Sequence, residues 1–376
     1  MTRKKTILLL LVLILLIAGA VLAYYFFVRG GSPAPTTETP ETAPGEVVIK
    51  PPTLKELVQM TDEAIISPTI NENKNRLRYI TKNDGALYTS DLDGKNRTKE
   101  QFVTLSGLIK TLWSPDQEKL INIYADTFGV KRFYYNLADK SAVPLIKNMN
   151  WVEYSKTQDK IVYHYEDPSQ NTNTIAVANA DGSLSQSILN TRIRDIRLQW
   201  VTDDKISIST APSGLSENVL YFTKISNPKL VRVLSGIYGL TSLWSNDGKR
   251  VIFSQTDRNG NNVRLFSANE NGLDVKDTNL KTLPEKCIFS KDNVSVYCAE
   301  PISIPENAIL PDDYYKKTFS VNDAIWKVNL ETGKKDLLYQ FQEDLNFDVS
   351  EMTLVKDEAI LFFVNRNNGF LYRLEL

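Results

Sequence analysis

The stretch LTSLWSNDGKRVIFSQ, residues 240–255, decides the fold. It reads as an apolar strand ending at Trp244, a Ser-Asn-Asp-Gly turn and a second apolar strand. Asn-Asp-Gly between two apolar runs predicts a hairpin, because a tight turn needs residues that tolerate positive φ. One hairpin says little; its recurrence says more. The phrase returns as LIKTLWSPDQEKLINIY (108–124), MNWVEYSKTQDKIVYHY (149–165), RLQWVTDDKISIS (197–209), KCIFSKDNVSVYCAE (286–300) and MTLVKDEAILFFV (352–364). AIISPTINENKNRLRYI (64–80) is a first copy. Ser114, Ser155, Ser245 and Ser290 hold equivalent places, spaced by about 44 residues or a multiple of it. Such a period predicts an all-β chain folded as a β-propeller, four strands to a blade.

WSPD at residues 113–116 and WSND at 244–247, each followed by a basic residue and an apolar strand, resemble the repeat of TolB-like, WD-repeat-like propellers. The resemblance covers residues 54–376. It implies a propeller that binds a protein, a peptide or an envelope glycan on its loop-bearing face, without catalysis. The chain departs from TolB-like proteins ahead of the propeller. An apolar run and a linker stand there, where those proteins carry a separate α/β domain.

Seven blades follow from the repeats, at residues 62–103, 105–145, 147–189, 191–234, 236–280, 282–341 and 346–376; six is the alternative count if the first is irregular. The last blade ends after its third strand, GFLYRLEL. TLKELVQM (53–60) reads either as a short helix with a Thr53/Glu56 capping box or as an outer strand completing that last blade. The strand is favoured, because pairing the first segment with the last leaves no exposed edge. Trp113, Trp200 and Trp244 end inner strands and read as inter-blade packing.

Residues 1–6 form a short basic tail, and residues 7–28 are an uninterrupted apolar run. About 20 apolar residues span a bilayer as a helix. Arg3, Lys4 and Lys5 place the N-terminus in the cytoplasm, while Tyr24 and Tyr25 suit the far interface. The expectation is a single-pass anchor in the cytoplasmic membrane, with the bilayer as one partner and the propeller outside. A cleaved signal peptide, ending near Ala18-Gly19-Ala20, is the rival. Residues 29–52, rich in Pro, Thr and Glu, read as an extended linker, and 53–376 as the propeller domain.

With 44 basic and 45 acidic residues, the chain lacks the footprint of a nucleic-acid binder. A single histidine, His164, argues against a Ser-His-Asp triad or a His-rich metal site. There is no Gly-x-Ser-x-Gly elbow and no phosphate-binding or dinucleotide fingerprint, and no cofactor is expected. Asp91-Leu92-Asp93-Gly94 starts like a calcium loop but lacks the closing Glu, so it reads as a turn. No catalytic or metal-binding residue is assigned. An envelope carbohydrate hydrolase or lyase, working through paired channel acids, is the alternative function.

Cys287 and Cys298 flank the blade-six turn. With Asp292-Asn293 at its centre, residue 287 falls opposite 298, within reach of a disulfide. The other reading is two small buried apolar side chains. Two further features rise above the repeat. The first is the long blade-six connection, which carries Asp312, Asp313, Tyr314 and Tyr315. Long loops on rigid scaffolds commonly bind, and Tyr supplies contact area at low entropic cost. Deleting residues 305–319 is expected to abolish capture and leave melting nearly unchanged. The second is Arg192 and Arg194, with Arg197, opening blade four. Cations on a channel-lining strand could hold an anionic group; internal ion pairing is the alternative.

Overall fold

The structure is a computed structural model. It describes residues 55–71, 75–100, 106–167, 169, 172–342 and 345–376. The basic tail (1–6), the apolar run (7–28) and the linker (29–52) lie outside the described residues. Among the described residues no helix is long and apolar enough to cross a membrane.

The described chain forms seven four-stranded antiparallel sheets, as the repeat predicts. Each sheet takes its strands in chain order except the last. There, Leu57–Gln59 pairs antiparallel with Leu371–Glu375 and supplies the outer strand, in the register Leu57 opposite Leu374 and Gln59 opposite Tyr372. Met60 N–H donates to the Leu371 carbonyl at 2.8 Å and Glu375 N–H to that of Glu56 at 3.1 Å. The strand reading of this segment is therefore correct and the helical one is not. The ring is closed by main-chain hydrogen bonds between its two ends.

The repeated turn has a physical basis in its serine. The Ser245 hydroxyl donates to Asp247 at 2.7 Å and accepts the Arg250 N–H at 3.0 Å, while Asp247 accepts the Lys249 N–H at 3.1 Å. Ser114 with Asp116 and Lys119, and Ser290 with Asp292 and Ser295, repeat the arrangement. The Ser290 hydrogen bond holds the Asp292 carboxyl below the usual carboxylate range. All three serines are buried, so a turn at the surface is stitched from within. Blade three has Thr157 where the others have Asp, and its Ser155 hydroxyl instead accepts from the Thr157 and Gln158 N–H groups. The Asp91–Gly94 segment is likewise a turn, closed by Gly94 N–H to the Asp91 carbonyl at 3.0 Å.

The core lies between blades rather than at the centre. Blades six and seven pack Tyr297, Ala299 and Ile325 against Val349, Leu361, Phe363 and Tyr372, with Phe341 and Phe347 between them. Trp200 and Trp244 are buried and Trp113 is half-buried. Trp244 donates its indole N–H to Ser207 Oγ at 2.9 Å, and Trp113 donates to the Ser67 carbonyl at 2.8 Å. These indoles tie one blade's inner strand to its neighbour, as the packing role requires. Cys287 and Cys298 are opposite one another and bonded, with Cα atoms 4.1 Å apart, in the register expected from the turn.

Candidate binding site at the channel mouth

Blade six interrupts its sheet after Ser295–Pro301 and resumes it at Asp323–Asn329. The intervening residues 302–322 contain a short helix, Asp312–Lys316, which the sequence read only as loop. They lie over the second-to-third-strand connections of blades four, five and seven. Leu310 N–H donates to the Gly260 carbonyl at 2.8 Å, and Asn261 Nδ2 to the Ala308 carbonyl at 3.0 Å. The insertion comes this close because Gly214 and Gly260 have no side chains. A Cβ on Gly214 would collide with the Leu310 carbonyl and the Gly260 Cα.

The four insertion residues singled out in the sequence do different things. Asp312 accepts the Gly214 N–H at 2.7 Å and the Ser213 hydroxyl at 3.2 Å, so it clamps the insertion to blade four. Asp313 accepts the Ile309 N–H at 2.8 Å and braces its own helix. Tyr314 is buried with Val263, Leu283 and Leu310. Tyr315 alone reaches the channel.

Beneath Tyr314 is a closed ionic cluster. The Lys286 amine contacts Asp323 at 2.8 Å and Asp348 at 2.6 Å, and Arg366 contacts Asp348 at 2.9 Å. Arg366 also donates to the Tyr314 carbonyl at 2.9 Å and lies 4.0 Å from its ring centre. Two cations balance two carboxylates, with Lys286, Asp323 and Asp348 shielded from water and Arg366 partly so; pairing is the condition for such charges to be tolerated in a core. Burial pushes the Asp323 carboxyl up to about 6 and the Tyr314 phenol up to about 12. Burial opposes the charge on Lys286, but Asp323, Tyr314 and Asp348 outweigh it and raise its pKa.

This cluster overturns the expectation that residues 305–319 can be deleted at little cost. Deletion would strip the cover from Lys286 and Arg366 and remove the buried Leu310 and Tyr314. Deletion is therefore expected to lower melting.

The mouth is a cavity of about 400 Å³ lined by Lys110, Trp151, Glu153, Arg197, Gln199, Glu285, Tyr315 and their neighbours. Tyr315 donates its hydroxyl to Glu285 and sets its ring 4.2 Å from the Arg197 guanidinium. Trp151 flanks the same guanidinium at 5.4 Å. Glu285 takes a second hydrogen bond from Thr241 at 2.9 Å and lies 3.9 Å from Arg197. Thus the two features that stood apart in the sequence, the insertion and the arginine run, meet at Tyr315 and Arg197. Arg192 and Arg194 do not take part. They are exposed on the connection before the inner strand Arg197–Thr202 and do not line the cavity.

Two carboxylates enter the channel with raised pKa values. Burial raises Glu153, against the pull of Lys110 at 4.0 Å and of the Trp151 N–H at 3.2 Å. Burial also raises Glu351, whose carboxylate accepts the Ser67 N–H at 2.9 Å and feels Lys110 and Lys317. Glu351 lies on the inner strand Val349–Leu354, where the surrounding protein reduces its solvation and so raises its carboxyl. Lys317 follows the insertion helix, so the cap influences blade seven as well as blade four. The sequence reading missed Lys110, Trp151, Glu153, Gln199 and Glu285. Their signal is polar or amphipathic residues on, or just ahead of, inner strands that have no bulk-solvent face.

No protein-family model matches the chain, and no characterised protein matches it in sequence. Solved structures match its fold. An oligogalacturonate lyase in complex with manganese is 12% identical, with a TM-score of 0.61 over 85% of this chain and 93% of that one. The β-propeller domain of the trilobed protease from Pyrococcus furiosus is 14% identical, with a TM-score of 0.54 over 83% of this chain and 95% of that one. That domain is described by an open velcro topology, whereas this ring is closed by Leu57–Gln59. TolB from Acinetobacter baumannii is matched at 14% identity and a TM-score of 0.40 over 83% of this chain and 63% of that one, too weak a likeness to argue from. Among the described residues no three His, Cys, Asp or Glu side chains come together, and His164 is buried opposite Trp151 and Ile175.

Proposed function

We propose that this chain is a non-enzymatic glycan-binding propeller that captures an oligosaccharide at the capped channel mouth. The observation that carries the reading is the mouth itself. Tyr315 roofs a cavity into which Lys110, Glu153, Arg197, Gln199 and Thr241 present polar groups from four successive inner strands and the connections before them. A peptide is a poorer fit. The inner-strand carbonyls of Ser67, Leu198 and Ser242 are already taken by Trp113, Trp151 and Gln199, at 2.8, 3.0 and 2.6 Å. A peptide would gain less from strand pairing at an edge already used. A sugar is read by side chains, of which the cavity has many. Long connections on a rigid scaffold are the usual place for such a site.

The apolar run at 7–28, with its basic flank, supports an anchor that holds the propeller outside the cytoplasmic membrane. Protease treatment of intact cells checks this part: a propeller still protected after permeabilising only the outer layers would exclude it. For the site, the propeller is titrated with envelope oligosaccharides by calorimetry, alongside Lys110→Ala and Tyr315→Ala, whose side chains line the mouth and not the base. Binding that is saturable in the parent and weakened in both variants supports the mouth. Equal binding in all three places the ligand elsewhere.

A second reading, cleavage of a carbohydrate, is favoured by the raised carboxyls of Glu153 and Glu351, with Lys110 acting on both. Shifted carboxyls in a cleft are acid–base candidates. The fold likeness to oligogalacturonate lyase makes uronate oligomers the first substrates to try. Release of unsaturated sugar by the parent protein, lost in Glu153→Gln, would replace binding with catalysis as the function.

A further inference from the structure

We infer that Arg197 is a carboxylate anchor and that the glycan taken at the mouth is therefore acidic, carrying uronic acid units; this rests on the reading of the mouth as a glycan site. Arg197 contributes the guanidinium that lines the cavity. Its plane is held by rings, with Tyr315 at 4.2 Å and Trp151 at 5.4 Å. Its nearest carboxylate, Glu285, is 3.9 Å away, beyond a hydrogen bond. The oxygens of Glu285 are engaged by the Tyr315 and Thr241 hydroxyls. Arg197 is thus oriented and compensated in charge; its fork of N–H donors is shared with the Tyr315 hydroxyl but not spent on a carboxylate. Such a fork matches a carboxylate through two parallel hydrogen bonds, whereas a neutral sugar engages it weakly.

Lys110 strengthens the preference. It is exposed into the same cavity and lies only loosely, at 4.0 Å, by Glu153. The other end of the channel offers a contrast. Its cavity has Lys156 as the cation, donating to Asn246 at 3.2 Å, among Trp113, Trp200 and Trp244. It has no planar donor fork, so the acid preference belongs to the mouth.

The test is calorimetry of the whole propeller with three ligands of equal length: a uronic-acid trisaccharide, its methyl ester and a neutral trisaccharide. The parent protein should bind the acid about tenfold or more tighter than the ester. Arg197→Gln should bring the acid down to the level of the ester. Arg197→Lys should do nearly the same, because a point charge does not reproduce the fork. Arg192→Gln should change nothing. An ester bound as tightly as the acid, or an acid preference kept in Arg197→Gln, overturns the inference and leaves the glycan reading standing. Failure of all three ligands on the parent protein overturns both. The ester changes the ligand and not the protein, so the comparison holds even if Arg197→Gln folds poorly.

Discussion

The two ends of the channel are built from the same inner strands and differ in origin. The base, a cavity of about 510 Å³, is lined by Trp113, Pro115, Ser155, Trp200 and Trp244, residues at or beside the repeated turn. The mouth, at about 400 Å³, is lined by residues that depart from the repeat: Arg197, Glu285 and, from the insertion, Tyr315. Glu153 and Gln199 line both cavities; beyond them the base is dominated by the repeat's Trp113, Trp200 and Trp244, and the mouth by Arg197, Glu285 and Tyr315. Of the two, it is the smaller cavity whose lining departs from the repeat.

The largest effect expected is at the base. Trp244→Ala removes a ring only 2% exposed and its hydrogen bond to Ser207, and should cost about 3–5 kcal/mol of stability. Ligand capture by the fraction still folded should be unchanged. Denaturant titration checks the first part, and a full-stability variant with lost capture would reverse the roles of the two ends.

At the mouth, Asp312→Ala should do the opposite. It leaves the Gly214 N–H without its carboxylate, a loss of about 1–3 kcal/mol. The cap that carries Tyr315 loosens, so affinity should fall in the same variant. Calorimetry beside melting separates the two effects. Undiminished affinity would mean that the cap is not part of the site.

Acid should act next, through two buried groups near the mouth. His164 is fully buried, neither ring nitrogen has a hydrogen-bond partner, and it lies opposite Trp151, the flank of Arg197. Burial holds its pKa below the ordinary value. The unfolded chain therefore takes up this proton first, and the stability at stake is present above about pH 6.5 and lost as pH falls below it. Asp323 runs the other way. Its carboxyl is raised to about 6, so the folded state takes up that proton first and blunts the loss. His164→Leu should make the loss of stability between about pH 7 and pH 5 shallower than in the parent. Melting curves of the variant and the parent that stay parallel across that range would break the assignment.

The smallest effect is expected from Arg192→Ala and Arg194→Ala. Both are exposed and outside the cavity, and each should change stability by no more than about 0.5 kcal/mol. A loss of acid-glycan binding in either would show that the anionic subsite extends beyond Arg197 onto the rim.

How much of this was legible follows from what a repeat encodes. Ser114, Ser245 and Ser290 with their aspartates mark the same turn in blades two, five and six, so strand order, a count of six or seven blades and the facing of Cys287 and Cys298 could be read along the chain. The strand use of residues 57–59 was readable too, because the last blade lacked its fourth strand. The site was readable only in part. Tyr315 and the arginine run stood out, but Asp312, Asp313 and Tyr314 looked just as promising and proved to be a clamp, a brace and a core residue.

The sequence by itself determined the architecture: a seven-bladed ring of antiparallel sheets with its turns, disulfide register and closing strand. These are local or periodic properties, set by alternation, turn chemistry and spacing, and each repeat copy states them again. Only the tertiary structure decided which of the unusual residues face the channel. Tyr315 and Arg197 are far apart in the chain and belong to different blades. Their meeting with Glu285 and Trp151 depends on how the insertion descends over Gly214 and Gly260. That path is set by packing between connections, which has no period and leaves no pattern along the chain.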